Sequence, residues 1–325
     1  MRRREFLGVL GGAAAWPLVA RAQQPALPVI GYFSGRSLDA EAPIRDPFLK
    51  ALEDSGFAPG RNVTIEYLFS DGRYERLSSL AAELVSRRIS LLVATDHPSA
   101  VAANAATKTI PIVFTSGLDP VPLGLVASIS RPGGNATGVS VFTSELGSKR
   151  LGLLREMLPG PGTIAFVVNP KNASTPGQIQ EIRAAAQAIG QDLFVVEISA
   201  EDEIDRAFAA IAERNVVAIL YAAATFFQVI SMRLVAFAAH YRIPALYEWR
   251  EFVTAGGLMS YSTDRNEVGR AAGTYAARIL KGEKPADLPV VQSSRFELVI
   301  NLKAAKALGL VVPPTLLARA DEVIE

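Results

Sequence analysis

The chain runs one alternation of strands and helices twice, over 29–115 and again over 164–247. In the first pass, short apolar or β-branched runs at 29–33, 63–69, 91–95 and 112–115 predict strands. Helices are expected between them, over 42–54, around Leu77–Leu80–Ala81–Leu84–Val85, and over 98–106. The middle one repeats its apolar residues on one face at helical spacing. The second pass predicts strands at 164–168, 193–198, 216–221 and 245–247. Its helices carry Ile179, Ile182, Ala186 and Ile189, then Ile204, Ala207, Phe208 and Ile211, then a single helix over 225–241. Strands alternating with amphipathic helices form parallel sheets covered on both faces. The fold class is therefore α/β with two doubly wound parallel-sheet lobes, and 325 residues suffice for two separate cores.

The tail breaks the alternation. A strand at 257–261, a helix at 264–281, strands at 288–292 and 296–302 and a last helix at 303–308 are expected. Such a tail can return to the first lobe and cross again, which predicts a multi-crossover hinge at 159–162, 249–257 and 287–295. The lobes are then 23–159 plus 257–287, and 160–256 plus 288–325.

Residues 1–22 read as an address. Three arginines precede an uncharged run of 15 residues, Phe6 to Ala20, shorter than the roughly 20 that span a bilayer, and Ala20-Arg21-Ala22 follows. This is the pattern of a cleavable signal, and the paired arginines before Glu5-Phe6-Leu7 resemble a bacterial twin-arginine signal. A periplasmic chain without membrane insertion is expected.

Composition excludes several classes. Lys and Arg number 33 against 32 Asp and Glu, with no basic run after the leader, so neither nucleic acid nor an anionic membrane surface is an expected partner. With no cysteine there is no disulfide and no thiolate metal site. No phosphate loop, zinc-helix motif, nucleophile elbow or dinucleotide fingerprint occurs. No catalytic residue, metal or cofactor is expected.

Parallel sheets bind ligands beyond the carboxyl ends of their strands. The tips here carry Ser34, Thr95 and Ser116 in the first pass and Asn169, Tyr221 and Glu248 in the second. Ser99 stands at a helix start after Thr95, where free amides and the helix dipole could seat a carboxylate, although Asp96 or Ser99 could simply cap that helix. Asp119 is expected to cap a helix starting at Pro120. Glu248 could hold an ammonium, or pair with Arg250 or Arg242. Thr225 opens the helix after Tyr221, and Phe226, Trp249 and Tyr261 offer aromatic walls. These eleven residues are the candidate small-molecule site. His97 and His240 are not expected to act as bases.

Several separate stretches carry a family resemblance. They are Gly60-Arg-Asn-Val-Thr-Ile-Glu66, Ile110-Pro-Ile-Val-Phe114 leading to Asp119-Pro120 and Gly124-Leu-Val126, and Arg131-Pro-Gly-Gly-Asn135 with Thr137-Gly-Val-Ser140. Gly256-Gly-Leu-Met-Ser-Tyr261, Val268-Gly-Arg270 and Leu298-Val-Ile-Asn-Leu-Lys303 complete the series. Together they resemble the ABC-transporter substrate-binding proteins whose relatives take up tryptophan and other aromatic amino acids. The resemblance implies the periplasmic binding protein type I fold, a small solute and an ABC permease in the inner membrane, and leaves the solute's identity open. A sensory protein presenting its ligand to a kinase or chemoreceptor would use the same fold. An exported α/β enzyme is the remaining alternative.

Overall fold

The computed structural model describes residues 27–325 apart from 142, 144 and 145. The export signal read over 1–22 lies outside the described residues. The chain opens with β1 (Val29–Ser34), α1 (Leu38–Asp54), β2 (Thr64–Phe69), α2 (Leu77–Ser86) and β3 (Leu91–Ala94). It continues with α3 (His97–Ala106), β4 (Ile112–Ser116), β5 (Ala136–Ser140) and α4 (Gly147–Met157). The second alternation is β6 (Ile164–Val168), α5 (Thr175–Ala188), β7 (Leu193–Glu197), α6 (Ile204–Glu213) and β8 (Ala218–Tyr221). Next come α7 (Thr225–Val229), α8 (Ser231–His240), β9 (Ala245–Tyr247), α9 (Arg250–Thr254) and β10 (Met259–Thr263). The tail holds α10 (Arg265–Leu280), β11 (Val291–Gln292), β12 (Phe296–Asn301), α11 (Leu302–Ala307), α12 (Pro314–Leu317) and β13 (Glu322–Ile324).

Two sheets result. The first has the order β11-β5-β4-β3-β1-β2 and is parallel throughout. The second has the order β13-β12-β10-β9-β8-β6-β7, with β12 antiparallel to β10 and the other pairs parallel. Alternation along the strands of the first sheet serves two cores. Phe33, Leu92, Ala94 and Phe114 pack with α2 and α3, while Ile30, Tyr32, Leu91 and Val93 pack with α1 and α10. Side chains of period two on a sheet buried on both faces require this division. A single large core, including Phe166, Leu220 and Tyr247, holds the second sheet.

Four sequence expectations change. β5 and α4 appear where no element was expected. β5 reads weakly because it contains Gly138, but that glycine is required: a Cβ there would stand 2.0 Å from the Phe114 carbonyl oxygen of β4. Pro120 starts no α-helix; Asp119 accepts from the Val121 amide at 3.0 Å and closes a turn. The helix expected over 225–241 is two, α7 and α8, meeting at Ile230. The chain also changes sheets between β5 and α4 and between β10 and α10, not at 159–162 and 249–257, while the third change, between β11 and β12, falls within the expected 287–295. β10 pairs in the second sheet and α10 packs along α1, so each crossover is a few residues long. Pairing partners fix these junctions, and local sequence does not record them.

Candidate functional site

Seven strands aim their carboxyl ends at one cavity. Arg36 follows β1, Asp96 and His97 follow β3, Thr115 and Gly117 stand at the end of β4, and Val141 and Thr143 follow β5. The second sheet brings Asn172 and Ser174 after β6, Ala223 to Thr225 after β8, and Glu248 and Trp249 after β9. Ile44 of α1, Gln228 of α7, and Arg265 and Val268 of α10 complete the wall. The free volume is small, ≈ 50 Å³, because side chains from the two rims meet over it.

A buried network builds the first rim. Glu41, reaching up from α1, accepts from Tyr32 Oη at 2.9 Å, Ser34 Oγ at 2.7 Å and Arg36 Nη1 at 3.0 Å. Asp96 caps α3 by accepting from the Ser99 amide at 2.8 Å, and also accepts from the Gly35 amide at 2.6 Å. Ser99 returns the bond to the Asp96 amide, completing a capping box. Arg36 Nη1 also donates to the Thr95 carbonyl at 2.7 Å. Two carboxylates thus hold one guanidinium in a dry place, which keeps its pKa up against burial.

The second rim is held by amides. Gln178 accepts from the Ala223 amide at 2.7 Å and donates to its carbonyl at 3.0 Å, and Asn172 donates to the same carbonyl at 2.9 Å. Glu248 projects beyond β9 and is buried. Burial pushes its carboxyl pKa up, while Arg150, Arg265 and Arg36 pull it down. Arg150 Nε donates to the Tyr261 carbonyl at 2.9 Å, and the Arg265 guanidinium lies 4.0 Å over the Trp249 ring.

Three nitrogen atoms on residues lining this cavity are buried with no partner among the described residues, Arg265 Nε, Trp249 Nε1 and His97 Nδ1, and so is Nη2 of Arg150, whose charge acts on Glu248. Arginine and tryptophan are donors only, and unsatisfied buried donors cost about 1–3 kcal/mol each. Burial lowers the His97 pKa, so its ring is neutral at pH 7.

The eleven residues expected from the sequence are placed as follows. Thr225, Glu248 and Trp249 line the cavity. Ser34, Thr95 and Ser99 lie beneath its floor, with Ser34 and Ser99 spent on the carboxylates and the cap. Ser116 turns its hydroxyl to the Leu118 backbone, and Asn169 accepts from the Lys171 amide at 2.9 Å. Tyr221 stacks on Tyr247 inside the core, and Phe226 packs beside Gly72. Tyr261 stacks on Phe296 away from the cavity. Glu248 forms no pair with Arg250, which is bonded to Glu322 at 2.6 Å through two nitrogens. Arg36, Arg150, Gln228 and Arg265 were not expected. Arg36 follows the strand-tip residue Ser34 by two positions and could have been found there; the other three sit in helices, where only packing shows their reach.

Comparison with known proteins identifies the relatives of this chain. The family described as ABC transporter substrate binding protein matches residues 28–324. A tyrosine-binding protein of Clostridioides difficile (strain R20291) is 31% identical over 264 residues, 81% of this chain and 75% of that protein. An ABC domain from Streptococcus pneumonia in complex with L-Trp superposes with a TM-score of 0.83 at 26% identity, covering 92% of this chain and 100% of that one. A ligand-free, open structure of a substrate binding protein with adhesive properties from Clostridium difficile gives 0.64 at 27% identity, covering 92% and 99%.

Proposed function

This chain belongs to the ABC transporter substrate-binding protein family, and from that premise we propose that it captures a small amino-acid-like or carboxylate solute by closing two lobes over it and delivers it to an ABC permease. Members of the family bind solutes, generally outside the cytoplasm, and the leader-like residues 1–22 support a periplasmic site of action here. The observation that carries the reading is the pairing of a buried carboxylate, Glu248, with unpartnered donors on Arg265 and Trp249 around one cavity, with the Arg150 guanidinium close enough to Glu248 to act on its charge. A zwitterion answers both needs: its ammonium faces Glu248 and its carboxylate meets the guanidinium and indole N–H groups.

Closure is supported by the comparison of lobe arrangement. At nearly equal identity, this chain resembles the L-Trp complex, TM-score 0.83, far more than the ligand-free open structure, 0.64. A solute drives closure only by binding the closed form more tightly. Names of the relatives favour an aromatic side chain, and the Trp249 ring supplies an aromatic surface in the cavity.

Calorimetric titration with L-tyrosine, L-tryptophan, other amino acids and aromatic acids tests the proposal. Saturable heat with at least one of them is expected. Absence of heat and of any thermal shift across the panel would refute it.

A further inference from the structure

Three residues line both the inner cavity and a second hollow outside it: Gln228, Trp249 and Arg265. The outer hollow opens between the start of α1, at Ser37 and Asp39, and the start of α8, at Ser231 and Met232. The three shared residues therefore form the partition between the cavity and the mouth. Gln228 stands at its centre. Its carboxamide oxygen accepts from Arg36 Nε at 2.6 Å and also from Arg265 Nη2.

Arg36 lies in the loop between β1 and α1 and Arg265 opens α10, both on the side of the first sheet, while Gln228 in α7 belongs to the second. One oxygen thus joins two buried guanidinium groups across the cleft through protein atoms alone. Other polar bridges across the rims are weaker. Tyr74 Oη accepts from the Phe226 amide at 3.2 Å, and Arg265 approaches Glu251 at 3.5 Å. Hydrogen bonds to charged donors are worth about twice neutral ones. Arg265, held by Gln228, is in turn laid over the Trp249 ring.

We propose that Gln228 is a positioning residue for capture: its carboxamide oxygen latches the two lobes by binding Arg36 and Arg265 together, closing the mouth independently of solute. The inference rests on the solute-binding reading only for its consequence for exchange. A ligand-independent latch raises the closed fraction of the empty protein, so each solute waits for the latch to open before it enters or leaves.

The full chain carries two tryptophans, Trp16 and Trp249, so Trp16→Phe leaves Trp249 as the sole indole reporter. Acrylamide quenching of that indole, without any solute, reads the state of the mouth. In this background Gln228→Met keeps the side-chain length but removes the acceptor, and Gln228→Glu restores an acceptor. The quenching constant is expected to rise at least threefold in Gln228→Met and to return to the parent value or below in Gln228→Glu. Equal quenching in Gln228→Met and the parent, with unchanged circular dichroism, would overturn the latch. So would equally raised quenching in Gln228→Glu. Stopped-flow mixing with L-tyrosine adds the exchange readout, with association and dissociation both accelerated at least fivefold in Gln228→Met. Failure of the parent to bind L-tyrosine or any other solute would count against the solute reading and leave the quenching result to decide the latch.

Discussion

Glu297 pairs across from Ser262 in the second sheet, half-buried, with Asp264, Glu251 and Glu322 near it and Arg250 the main opposing charge. Burial and these carboxylates push its pKa up to about 7. A raised carboxyl pKa favours folding while the group is protonated; that contribution is whole below the ordinary value near 4.5 and is lost as pH rises through about 7. Discounted for partial exposure, the loss is about 1–2 kcal/mol. Glu297→Gln should therefore flatten the fall in stability between pH 5 and pH 8, as read by urea denaturation at each pH. Glu248 gives a second pH prediction. Burial raises its pKa, and a bound ammonium would favour the ionised form. Affinity for the amino acid that titration identifies should weaken as pH falls through that raised value, with proton release on binding. Glu248→Gln should lose at least tenfold in affinity, about 1.4 kcal/mol, together with the pH dependence in calorimetry. Among individual residues, strand-tip position was enough to bring Glu248, Trp249 and Thr225 into view. Of the hydroxyl residues at the same tips, Ser99 proves to be the helix cap that the sequence left open beside ligand contact, and a local turn engages Ser116. The arginines escaped notice because a long side chain on a helix can reach a cavity whose position sequence spacing does not give.

At the level of elements, α10 shows how contact reverses a propensity. Alanine is normally better than glycine in a helix by about 1 kcal/mol. At Gly273 a Cβ would lie 2.4 Å from the Phe48 carbonyl oxygen of α1, and at Gly269 it would lie 2.3 Å from the Ile44 carbonyl oxygen. These are backbone atoms, so the helices must part. Gly273→Ala should destabilise by about 2–4 kcal/mol despite its better propensity, read by chemical denaturation. Gly152 in α4 is the control: nothing lies within 4 Å of its would-be Cβ. Gly152→Ala should stabilise by up to about 1 kcal/mol in the same assay. Strongly periodic elements such as α2 and α6 were legible from their apolar stripes. β5 was not, because the glycine that lets it lie against β4 also lowers its strand signal.

For the whole molecule, a ligand that closes two lobes should stabilise both by mass action. At a hundredfold excess over its Kd the gain is about 2.7 kcal/mol, which on a chain of this length raises the melting temperature by about 4 °C. Scanning calorimetry with and without the amino acid that titration identifies checks this; no shift at saturating concentration would contradict joint closure. The doubled alternation fixed the α/β class and two mainly parallel sheets, because the period of apolar residues is a local property of the chain; the antiparallel β12 comes from the tail that breaks the alternation. Strand tips likewise marked the end of each sheet that could bind. Where the chain crosses between sheets, which long side chains meet in the cleft, and that Gln228 joins Arg36 across 192 residues of sequence, were decided by tertiary packing. Those facts depend on distances between groups far apart in sequence, and local preference carries no measure of such distances.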